Sequence, residues 1–67
     1  MNTAVMAERL RALRGDKSQQ TVAKDLNISD SALSAYETGE RVPRDEVKVR
    51  IAAYYGKSVQ DIFFTEQ

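Results

Sequence analysis

Asn27–Glu40 reads NISDSALSAYETGE, and the reading of its first residues decides how the chain is built. Asn27 suits the position just past a helix, because asparagine tolerates a left-handed backbone better than most residues. Ile28 precedes Ser29, a good N-cap, and Leu33 lies four positions into the helix that Ser29 opens. An apolar residue before the cap, paired with one in the first turn, is a hydrophobic staple; it fixes the angle at which the chain enters the helix. One helix therefore ends at Leu26 and the next starts almost at once, at a set angle. Two short helices joined in this way form a helix-turn-helix.

Outward from this stretch, apolar residues recur at helical spacing and strict alternation is absent. Upstream, the spacing predicts a helix over Gln19 to Leu26, capped by Ser18, with Val22, Ala23 and Leu26 inward. The segment RGDKS separates it from a first helix over Thr3 to Arg14, which places Met6, Leu10 and Leu13 on one face and stops at Gly15. In the helix after Ser29, Leu33 and Tyr36 point inward, Asp30, Ser31, Ser34, Ala35 and Thr38 lie on other faces, and Gly39 is the stop. Pro43 is expected at the start of a fourth helix, with Asp45 and Glu46 in a first turn whose dipole favours them. Val47, Ile51 and Tyr54 or Tyr55 make its inner stripe. Gly56 closes it. Ser58 with Asp61 resembles a capping box for a last short helix anchored by Val59, Ile62 and Phe63. The expectation is an all-α fold of five short helices, one domain over residues 1–67.

Composition removes several classes of function. At 67 residues a domain buries only about 60% of its unfolded surface, so stability is marginal. The chain has no cysteine and no histidine, which excludes a disulfide framework and a cysteine zinc site and removes the usual general base. The carboxylates Asp45 and Glu46 are sequential neighbours at a helix start and do not converge on a cleft. No catalytic machinery, metal, cofactor or small-molecule substrate is expected. No apolar run is long enough to span a bilayer, and a soluble, cytoplasmic protein is expected. Ten basic residues balance ten acidic ones, so net charge selects no partner.

These residues, taken in order, resemble the Cro/CI-type (lambda-repressor-like, XRE-family) helix-turn-helix DNA-binding domain. Gln19 opens the motif, which runs over about residues 19–38, and Ala23 stands where its helices touch. Asn27 fills the usual glycine position, and Ile28, Leu33 and Tyr36 are the buried anchors. YETGERVP looks like the family's E-x-G-x-x-x-P signature, and IAAYYGKSVQDIF like its last two helices. Two features depart from the pattern: RGDKS is a shorter connection than usual, and Asp30 and Ala35 stand where relatives often carry amides.

The resemblance implies that the third helix enters the major groove of double-stranded DNA and reads base edges with its N-terminal residues. Carried over position by position, the base readers are Asp30, Ser31, Ser34 and Ala35, with Gln19 at the edge. Asp30 is equally a carboxylate stabilised by the helix dipole. Phosphate contacts fall to Lys17, Ser18, Gln19, Thr38, Arg41 and Arg44, with Lys17, Arg41 and Arg44 expected to cluster near that face. Arg14 and Glu37 are implied as a structural ion pair between the first and third helices. The adjacent Phe63 and Phe64 cannot both be buried by one helix face; Phe63 is assigned to the core and Phe64 to a partner subunit. The implied protein is a bacterial or phage regulator, nucleoid-associated, binding a palindromic operator as a homodimer and repressing by occlusion without a sensing domain. The alternative is an antitoxin-like interaction module, against which the FFTEQ tail is too short to wrap a partner.

Overall fold

The computed structural model describes residues 2–64; residues 65–67, most of the FFTEQ tail, lie outside the described residues. Five helices follow one another: α1 (Thr3–Arg14), α2 (Gln19–Leu26), α3 (Asp30–Thr38), α4 (Asp45–Tyr55) and α5 (Val59–Phe63). No strand occurs among the described residues, and no helix is long and apolar enough to cross a membrane.

Local chemistry accounts for the breaks. Asn2, Ser18, Ser29 and Ser58 each cap the helix that follows, their side-chain oxygens accepting a backbone N–H of its first turn. Such a cap contributes about 1 kcal/mol. At Ser58 the capping box is complete, because Asp61 reaches back to the Ser58 N–H. The other ends of α2, α3 and α4 share one device. Asn27, Gly39 and Gly56 are left-handed, and the residue after each donates its N–H to the carbonyl five positions earlier: Ile28 to Ala23, Glu40 to Ala35 and Lys57 to Ala52. This Schellman arrangement satisfies carbonyls that the helix leaves unpaired.

α1 packs on α3 and α5, α2 on α3 and α4, and α4 on α5. Met6, Leu10, Leu26, Leu33, Ile51 and Phe63 are fully buried at their junction, and Ile28 packs against the same cluster beside its staple partner Leu33. Gly39 marks the closest approach. A Cβ built there would sit 3.1 Å from the Thr3 carbonyl oxygen, so only a glycine lets the end of α3 lie against the start of α1.

One boundary differs from the sequence expectation. Pro43 is not the first residue of α4 but lies two residues before it, buried, with Arg44 extended at the N-cap (φ −66°, ψ 162°). Asp45 and Glu46 take the first turn. Pro43 instead serves packing, anchoring the loop from Gly39 against the domain.

Candidate nucleic-acid interface

α3 presents two unlike faces. Outward, Asp30 and Ser31 are exposed and Ser34 is half-buried. The Ser31 hydroxyl has only a long approach, 3.5 Å, to that of Ser29, which is committed to the cap. Both Ser31 and Ser34 therefore offer groups that donate or accept at little internal cost. Thr38 is exposed too, but its hydroxyl donates to the Ala35 carbonyl at 3.1 Å and also lies 3.4 Å from a Glu40 carboxylate oxygen.

Ala35 requires a correction. Expected on an outward face, it is 8% exposed. The chain past Gly39 turns back onto this turn of helix, and the N–H groups of Glu40 and Arg41 both reach the Ala35 carbonyl. A methyl-sized side chain is left almost no surface to offer a base.

Inward, α3 carries a charge. Glu37 is 2% exposed, and its carboxylate accepts from Arg14 Nε at 3.1 and 2.8 Å and from Gln19 Nε2 at 2.9 Å. Arg11 donates to the Glu37 carbonyl, and Arg14 Nη1 to the Lys17 carbonyl at 2.6 Å. The carboxylate thus ties α1 and the start of α2 to α3, and Arg14 adds the α1–α2 turn. The hydrogen bond that Arg14 donates to Glu37 raises the Arg14 pKa, against desolvation that lowers it. The Tyr55 hydroxyl lies at the edge of this cluster, buried and without a hydrogen-bond partner among the described residues. Burial first, and then the negative charge of Glu37, push its pKa up to about 12.

Five of the ten basic side chains, Arg9, Arg11, Arg14, Lys17 and Arg50, hold hydrogen-bonded partners within the fold. Arg9 donates to the Asp61 carbonyl at 2.7 Å and Arg50 to the Leu26 carbonyl at 2.6 Å. With Arg11 on Glu37, three guanidinium groups sit at carbonyls in the last turns of α5, α2 and α3, where a cation is favoured. Nothing local in the sequence signals these contacts. Lys17 has an internal partner: its ammonium meets the Tyr54 hydroxyl at 3.1 Å, and that hydroxyl donates to Asp25 at 2.7 Å. The Tyr54 hydrogen bond raises the Lys17 pKa. Ser18 is occupied by its cap and by Thr21, and the Gln19 amide by Glu37.

Arg41 and Arg44 differ from these. Both are exposed, and neither has an ion-pair or hydrogen-bonded side-chain partner among the described residues. Arg41 lies 5.7 Å over the Tyr36 ring, which orients it without neutralising it. Arg44, the N-cap of α4, makes no side-chain cap bond. Phe64, at the far end of the chain, is 50% exposed.

A family model described as a helix-turn-helix domain matches residues 5–62, from within α1 to within α5. No curated protein and no solved structure matches the chain.

Proposed function

The chain belongs to the helix-turn-helix domain family, and from that premise we propose that it is a sequence-specific regulator of transcription. In this reading it is a cytoplasmic, non-enzymatic repressor that binds a palindromic operator as a homodimer. The family is one of DNA-binding domains, in which the second helix of the motif lies in the major groove. Here that helix is α3. Asp30, Ser31 and Ser34 at its N-terminal half read base edges; the serine hydroxyls donate or accept, and Asp30 accepts from a cytosine amino group.

The observation that carries this reading is the contrast across α3: an inner face locked by Glu37 and an outer face with uncommitted hydroxyls. Arg41 and Arg44 supply the phosphate contacts that set affinity and register, together with the N–H groups at the start of α2. Lys17, Ser18, Gln19 and Thr38 contribute less, because each already holds an internal partner. With so few free cations, affinity per subunit is modest. Two subunits on half-sites about one helical turn, ~34 Å, apart provide the rest.

Selection of bound duplexes from a random DNA pool tests the proposal. The expected result is a palindromic consensus bound about 10³-fold or more over random DNA. Absence of enrichment, with weak salt-sensitive binding only, would overturn it.

A further inference from the structure

Two of the cations proposed for phosphates lie against aromatic rings, and the rings hold them differently. The Arg41 guanidinium lies 5.7 Å over the Tyr36 ring, with no hydrogen-bond acceptor among the described residues. The Lys17 ammonium lies 5.0 Å from the centre of the Tyr54 ring and also meets its hydroxyl at 3.1 Å. A carboxylate stands behind that hydroxyl, which donates to Asp25 Oδ2 at 2.7 Å. The phenol therefore accepts from a cation and donates to an anion, and each bond strengthens the other. Tyr54 is itself set edge-on against Tyr55, ring centres 5.0 Å apart.

We propose that Asp25 and Tyr54 form a latch that withholds Lys17 from DNA, so that two residues outside the interface set its affinity and its salt dependence. The inference rests on the DNA-binding reading above and names the residues that limit it. The latch spans α2. Asp25 stands in the last turn of that helix, about 9 Å of rise from Gln19, whereas the N–H groups proposed for a phosphate are in its first turn. Ser18 accepts the Thr21 N–H, and those of Gln19 and Gln20 have no acceptor among the described residues.

Lys17 lies two positions before Gln19 in a backbone that is already fixed. Its carbonyl accepts from Arg14 Nη1 at 2.6 Å, and its N–H donates to the Arg14 carbonyl at 3.2 Å. Only the side chain has to move. To meet a phosphate at the start of α2, the ammonium leaves the Tyr54 hydroxyl and the carboxylate behind it, and that loss offsets part of what the phosphate offers. Without the hydroxyl, Lys17 is left with a ring alone, the condition in which Arg41 already stands.

Salt titrations of the selected operator with Tyr54→Phe and Asp25→Asn test this, each also made together with Lys17→Gln. Thermal unfolding checks that every variant remains folded. Tyr54→Phe should tighten binding at low salt at least about threefold and steepen the plot of log K against log salt by about 0.9 for each copy bound. Asp25→Asn should act in the same direction. Both gains should vanish in the Lys17→Gln background, because the freed cation is their source. Equal affinity and equal slope for the parent chain and Tyr54→Phe would overturn the latch and leave DNA binding standing. A gain that survives Lys17→Gln would overturn it too, since a loss of negative charge alone would then suffice. If no duplex is enriched by any variant, the DNA-binding reading falls and the latch falls with it.

Discussion

The two faces of α3 are built on opposite principles. The inner face buries a carboxylate and surrounds it with donors from α1 and α2; the outer face offers Asp30, Ser31 and Ser34 with little to hold them. A buried charge tolerates few geometries, because every arrangement that loses a partner leaves it desolvated and unpaired. An exposed hydroxyl tolerates many. The difference separates two tasks along nine residues: the inner face fixes where the helix sits, and the outer face is free to differ without cost to the fold.

The comparison breaks first if Glu37 is not what fixes the helix. Glu37→Ala strips Arg14 and Gln19 of their acceptor and should cost about 3 kcal/mol or more, a large part of the stability of so small a domain. Urea unfolding measures it; a loss under about 1 kcal/mol would mean that apolar packing alone holds α3 in place. Gly39→Ala tests the end of the same helix. A Cβ at φ 82° and 3.1 Å from the Thr3 carbonyl should cost about 2 kcal/mol, read as a lowered melting temperature.

The outer face should respond in the reverse sense. Ser31→Ala or Ser34→Ala should leave stability within about 0.5 kcal/mol and weaken the selected operator by about 1 kcal/mol for a lost neutral hydrogen bond. Titration of the operator alongside a duplex changed at one base pair shows whether discrimination at that pair is what was lost. Equal loss on both duplexes would remove the serine from the readers.

Tyr55 gives the smallest effect and sharpens the picture of the inner face. Its hydroxyl has no hydrogen-bond partner among the described residues, so Tyr55→Phe should change stability at neutral pH by less than about 1 kcal/mol. Above pH 10 the two chains should part. The native phenol stays protonated to about 12, whereas in the unfolded chain it ionises near its ordinary value of 10.0. The unfolded state then binds fewer protons, and stability present below pH 10 falls between pH 10 and 12. The phenylalanine variant lacks that part of the slope, which paired urea titrations at pH 9 and 11 would show.

Much of the fold was legible because its punctuation is local. Ser18, Ser29 and Ser58 accept N–H groups three residues on, and Asn27 and Gly39 are left-handed for reasons contained in one helical turn. The doublet Phe63–Phe64 is split by the end of α5, with Phe63 buried as its last residue and Phe64 half-exposed in extended backbone just past it. The interface was less legible. Lys17 reads as a free cation beside a helix start, yet Tyr54, 37 positions away in sequence, takes it. Ala35 reads as outward, yet the chain beyond Gly39 covers it. Nothing in the sequence around Arg9, Arg11 and Arg50 marks the helix ends they cap until folding brings those ends beside them.

The sequence by itself determined where each helix starts and stops and which stripe each one buries, since caps, left-handed stops and a period of 3.6 residues act within a few positions. Only the tertiary structure decided which charges remain available to a phosphate. That outcome depends on partners from 23 to 52 positions away, which no local pattern encodes, because a long basic side chain has the same composition whether it meets a carbonyl or water.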